Sequence, residues 1–171
     1  MYFEGTFSTR AFTERSLDKT EVALDPSFES LLESIGFEDA PKEFTNWNYY
    51  SVNIPIAYWR KVNCIHNWFV ENVQGGDDNC ERHWVSRENL EDFLETINTI
   101  LAVKTPVARR TKAEELLPTD IEGCFFGSED YDDWYYQDLK RTKSILEKVF
   151  DYEENAEAGK CFDNFYYQSS W

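Results

Sequence analysis

Basic residues and glycines are scarce in this 171-residue chain. Seventeen Lys and Arg stand against thirty-three Asp and Glu, a formal charge of −16. That balance argues against a general affinity for polymeric phosphate backbones or anionic membranes. The 7 glycines build no phosphate-cradling loop, and there is no GxSxG, HExxH, P-loop or dinucleotide fingerprint. No apolar run approaches the roughly 18 residues needed to span a bilayer. The opening Met1-Tyr2-Phe3-Glu4-Gly5-Thr6-Phe7 lacks the basic-then-apolar pattern of a secretion signal, so a cytoplasmic location is expected. Cys64, Cys80, Cys124 and Cys161 are widely spread, and in a reducing compartment they are expected as thiols.

What is abundant is aromatic. With 13 Phe, 10 Tyr and 6 Trp, the chain carries too many large apolar groups for a disordered acidic protein. A prior of roughly 100–200 residues per domain makes residues 1–171 a single domain. Residues 2–12 alternate loosely with aromatics and read as a short strand. Asp25, Pro26, the stripe Phe28, Leu31, Leu32 and Ile35, and Gly36 outline a first helix. The segment Phe44 to Ile54 reads as a strand or extended loop that Pro55 ends. Tyr58, Val62, Ile65, Phe69 and Val73 predict a second helix from about Ile56 to Gln74, stopped by Gly75-Gly76. A third follows Ser86, with Leu90, Phe93, Leu94, Ile97 and Leu101 on its apolar face. Residues 104–112, KTPVARRTK, read as a basic connector. Cys124-Phe125-Phe126 looks strand-like. Gly127-Ser128 is expected to open a fourth helix carrying the stripe Tyr131, Tyr135, Leu139, Thr142, Leu146 and Val149, with Ser128 as its cap. The aromatic run Phe162 to Gln168 reads as a closing strand. The expected fold is α+β, about four helices with a small antiparallel sheet formed by the terminal segments.

The richest chemistry sits in Tyr58-Trp59-Arg60-Lys61-Val62-Asn63-Cys64-Ile65-His66. On a helix, Trp59, Asn63 and His66 would share one flank beside the apolar stripe. An indole stacks on a base, an amide or imidazole bonds its edge, and Arg60 or Lys61 meets a phosphate. Ordinary packing accounts for the same residues, with a core Trp59 and with Asn63 and His66 bonded to neighbours. Cys64, His66, Cys80 and His83 supply the donor types of a zinc site. Residues two apart on a helix point about 200° apart, however, and no metal is expected. The acids from Glu129 to Asp133 suit a helix dipole better than metal or acid–base chemistry.

Four blocks carry a resemblance: YWRKxNxIHxWFVxNVQ at 58–74, LLPT at 116–119, FFGSxxYDxWY at 125–135 and FYYQSSW at 165–171. Together they resemble a widespread family of small phage and prophage proteins, over about residues 56–171. Through that family the chain is similar to phage immune-evasion sponge proteins, which sequester cyclic dinucleotide signals of CBASS-type anti-phage defence in pockets of a homo-oligomer. The resemblance implies a non-enzymatic, phage-encoded protein acting in the cytoplasm of the infected bacterial host. It also implies a cyclic dinucleotide ligand and no cofactor. The candidate ligand-binding residues are then Trp59, Arg60, Lys61, Asn63 and His66, with Tyr131 and Trp134 from the fourth helix. Screening reconciles an anionic ligand with the net charge, because a Debye length of about 8 Å hides distant surface acids from a local cation. A different class also fits: an acidic inhibitor whose Glu88, Glu91, Asp92, Glu95 and residues 129–133 mimic DNA toward a host defence enzyme. No complete nucleophile, base and orienter set can be assembled for an enzyme.

Overall fold

The computed structural model describes residues 1–10, 30, 34, 49–119, 127–155 and 161–170, with the backbone alone for 7–10 and 49–52. Met1–Thr6 with Asn53–Trp171 make one compact unit and Phe7–Val52 another. The expected first helix lies outside the described residues apart from Ser30 and Ser34, which are helical. The strand-like Cys124 to Phe126 lies outside them altogether.

The fold is α+β. Its elements are β1 (Tyr2–Arg10), β2 (Tyr49–Tyr58), α1 (Asn63–Asn72), β3 (His83–Val85), α2 (Arg87–Ala102), α3 (Pro106–Leu116), α4 (Asp133–Asn155) and β4 (Asn164–Gln168). The strands form one antiparallel sheet in the order β2-β1-β4-β3. The terminal segments pair as expected: β1 lies antiparallel to β4, with Tyr2 opposite Gln168 and Thr6 opposite Asn164. On the other side of β4, His83 faces Tyr167 and Val85 faces Phe165. Three residues of His-Trp-Val are too short to announce β3 by alternation, and their strand character comes from this pairing.

Side-chain alternation turns Phe3 of β1 and Phe165 and Tyr167 of β4 into the core. There α1 meets the sheet: Phe69 stacks on Tyr167 with ring centroids 4.0 Å apart. On its far side α1 meets α2, where Trp68 stacks on Phe93 at 4.1 Å. Helix α1 is therefore covered all round, and every residue from Asn63 to Val70 is buried. Helix α2 starts in a capping box, with the Ser86 hydroxyl accepting from the Asn89 backbone N–H and the Asn89 side chain answering the Ser86 N–H. It buries Leu90, Phe93, Ile97 and Ile100, and packs on both α3 and α4. The expected stripe of α4 is buried at Tyr135, Leu139, Thr142, Leu146 and Val149.

Four boundaries differ from the sequence reading. Strand β2 runs through Pro55 to Tyr58, which an edge strand tolerates because its N–H groups can face away from the sheet. The second helix starts at Asn63 rather than Ile56, because the chain leaves the strand in a turn with Lys61 at φ 58°. Residues 106–116 are helical rather than a connector. Pro106 suits the first helical turn, and Arg110–Glu114 and Lys112–Glu115 pair along the exposed surface, leaving no apolar stripe to reveal the helix. Helix α4 starts at Asp133, not at Gly127-Ser128, and its cap is Asp132, whose Oδ1 accepts from the Tyr135 N–H at 3.0 Å. Among the described residues, no helix is long and apolar enough to cross a membrane.

Candidate ligand-binding site

Two local structures face one another where β2 hands over to α1 and where the chain enters α4. The first is the turn at Lys61. The N-cap Val62 offers no side-chain acceptor, and the first turn of α1 holds no acid, so its N–H groups keep their partial positive charge. The second is the segment 127–132. Gly127, at φ 101°, lies so close on the Lys61 carbonyl that a Cβ would collide with it. Ser128 then accepts from the Asp130 N–H at 3.0 Å, a local turn that leads to the Asp132 cap. Between the two lies a small recess of about 50 Å³, open to solvent.

Of the sequence candidates, Lys61, Asn63 and Trp134 line this recess. Trp134, on the first turn of α4, is 71% exposed, so its indole face is presented to solvent at the rim. Lys61 is exposed and Asn63 buried. The other candidates stand elsewhere. Trp59 is 1% exposed: its Nε1–H donates to the Thr142 hydroxyl at 3.0 Å, and its ring packs among Phe3 and Phe69. Because the helix begins only at Asn63, Trp59 shares no helical flank with Asn63 and His66. His66 is fully buried, with Nδ1 2.6 Å from the Tyr167 hydroxyl and Nε2 3.2 Å from Asp78 Oδ1. Arg60 is exposed without lining the recess, and Tyr131 is half-buried, its hydroxyl accepting from the Thr119 N–H. Trp59 and His66 are packing groups here, the plainer of the two readings their residue types allowed.

Sequence reasoning weighed Asp130 and Asp132 as helix-dipole acids and missed Asp138. All three face Lys61 across the recess. Burial pushes the Asp138 carboxyl above its ordinary range; Arg141 opposes the rise and Asp132 adds to it. The signal was available in the spacing: Asp138 lies four residues after Trp134, hence on the same face of α4. Beside it the Cys64 thiol is pushed far up by burial and by the Asp138 charge, so it is neither a ready nucleophile nor a ready ligand. His66 is committed to Tyr167 and Asp78, and the His83 ring to Asn79. Among the described residues, no three His, Cys, Asp or Glu side chains are grouped to hold a metal ion.

No protein-family model matches the chain. No curated protein matches it. No solved structure matches it.

Proposed function

We propose that this chain is a phage-encoded, non-enzymatic immune-evasion protein that captures a cyclic dinucleotide defence signal of the CBASS type in the recess at Lys61 and Trp134. The supporting observation is that an exposed indole, an exposed lysine and the uncapped start of α1 border one cavity. Trp134 offers a stacking face for a base, worth about 1–3 kcal/mol per base. Lys61 and the N–H groups of the first α1 turn complement a phosphate. These roles fall to Lys61 and Trp134, and not to Trp59 or His66, which are buried. At about 50 Å³ the recess is well below the roughly 300–1,000 Å³ of enclosed small-molecule sites, so a base would lie over its rim, against Trp134, rather than inside it. Most of a two-base ligand would then be left uncovered by one copy, which calls for a second copy of the chain and favours a homo-oligomer. A thiol held protonated beside the recess favours binding over chemistry.

The test is a thermal-shift panel of cyclic dinucleotides with size-exclusion measurement of the assembly. A shift that grows with ligand as RT ln(1 + [L]/Kd), with ligand released intact on denaturation, is expected. Absence of any shift at saturating ligand refutes the proposal. A second reading, an acidic DNA mimic directed at a host defence enzyme, draws support from the exposure of Glu88, Glu91, Asp92 and Glu95 along α2. Replacing those acids with Gln abolishes inhibition if mimicry is the mechanism.

A further inference from the structure

The three recess acids are not equivalent. Asp130 accepts from the Ser128 hydroxyl, which in turn accepts from the Asp130 N–H, within one tight turn. Asp132 is spent on capping α4 through the Tyr135 N–H. Asp138 lines the same recess, half-buried, and among the described residues no donor lies within hydrogen-bond distance of its carboxylate. A partly desolvated acceptor facing an open cavity gains most from a ligand that brings donors. Its place on α4 says which donors. Trp134 and Asp138 stand one turn apart on one face, about 5–6 Å between Cβ atoms by helix geometry. A base stacked on the indole would present its edge toward the next turn of the helix.

Resting on the reading of the recess as a nucleotide site, we propose that Asp138 makes it selective for guanine, accepting the adjacent N1–H and N2–H of the base on its two carboxylate oxygens. The paired donors of guanine match a carboxylate in number and spacing. Adenine presents a ring nitrogen acceptor beside its single amine, which would set a lone pair against the carboxylate. Uracil offers one donor between two carbonyl oxygens. A site that binds by filling an acceptor discriminates strongly against ligands lacking the donor, because the buried group is then left unpaired. Charge works in the same direction: the donors stabilise the ionised form that burial alone disfavours.

The experiment is calorimetric titration of the full chain with cyclic di-GMP, cyclic di-IMP and cyclic di-AMP, repeated on Asp138→Asn. Cyclic di-GMP is expected to bind roughly ten- to hundredfold more tightly than cyclic di-AMP, the range for hydrogen bonds to a charged group. Cyclic di-IMP, which lacks the N2 amine, falls between them. Asp138→Asn, which replaces one acceptor by a donor, should bring the guanine and adenine ligands to within about threefold of each other. Unchanged melting of the variant without ligand confirms that it folds, and Asp138→Glu, which keeps both acceptors, should retain part of the guanine preference. Equal binding of all three ligands to the native chain, or a preference that survives Asp138→Asn, overturns the assignment of Asp138 while leaving the recess a nucleotide site. No binding of any of the three overturns both.

Discussion

The Tyr167 hydroxyl lies 2.6 Å from Nδ1 of His66, joining the closing strand to the first helix at a point with no solvent access. On its other side, the ring's Nε2 stands 3.2 Å from Asp78 in the loop after α1. A neutral imidazole satisfies both contacts: Nε2–H donates to the carboxylate and Nδ1 accepts from the phenol. Tyr167→Phe keeps the stack on Phe69 but leaves Nδ1 without its donor. It should lower stability by about 1–3 kcal/mol, read as a lower urea midpoint with an unchanged slope.

The same imidazole gives stability a pH dependence of definite sign. Burial holds the His66 pKa below its ordinary value, with Asp78 opposing the shift only in part. As pH falls below about 6.5 the unfolded chain takes up this proton before the folded one does, so stability declines. The contribution is fully present above that pH and is lost on descending toward the depressed folded value. Asp138 and Glu153, both raised by burial, work the other way, since their folded forms bind protons first as pH falls. The His66 effect is isolated by comparison with His66→Gln: the difference in urea midpoint between the two proteins should shrink from pH 7.5 to pH 5. A difference that stays constant over that interval refutes this origin.

How much was legible in the sequence follows from which forces wrote each element. Helices α2 and α4 each bury one stripe under a polar face, and the α4 stripe was legible from Tyr135 to Val149. In α2, Leu90, Phe93 and Ile97 were read correctly, Leu94 and Leu101 are only half-buried, and the buried Ile100 was missed. The pairing of β1 with β4 was visible as aromatic segments at both ends. Helix α3 was hidden because it is held by a proline start and surface ion pairs. The start of α1 was misplaced because Tyr58 and Val62 keep a helical interval across what is a strand end and a left-handed turn at Lys61. That single error put Trp59 on a flank with Asn63 and His66. Lys61, Asn63 and Trp134 were legible as chemistry-bearing types. Asp138 was overlooked among many acids, because only the cavity distinguishes a carboxylate facing a recess from one facing solvent.

Trp59 and Thr142 should behave as a structural pair. Thr142 is fully buried, and its hydroxyl accepts the indole N–H at 3.0 Å. Trp59→Phe and Thr142→Val each break that bond, and the double variant should recover part of the loss, with a coupling of about 1 kcal/mol in a double-mutant cycle. Nucleotide affinity of the folded fraction should not change. A selective loss of ligand binding in Trp59→Phe, with stability intact, would restore Trp59 to the site.

Gly127 packs directly against the turn that carries Lys61. At φ 101° and against the Lys61 carbonyl, any side chain is both strained and obstructed. Gly127→Ala should cost about 1–3 kcal/mol of stability from the backbone strain alone. It should also weaken ligand binding beyond the unfolded fraction, because the Lys61 turn must retreat to admit the methyl group. Chemical denaturation and calorimetry on the same sample separate the two effects.

Trp134 supplies the converse test, since so exposed a side chain contributes little to folding. Trp134→Ala should leave stability within about 0.5 kcal/mol of the native chain, as surface substitutions do. Cyclic dinucleotide affinity should nonetheless fall by about 1–3 kcal/mol, roughly five- to 150-fold, if the indole stacks on a base. Trp134→Phe, which keeps a smaller stacking face, should fall between the two. Lys61→Gln should weaken binding as well, and should flatten its dependence on salt, because one phosphate contact and its released counterion are lost. Retention of full affinity in both Trp134→Ala and Lys61→Gln would move the ligand away from this recess.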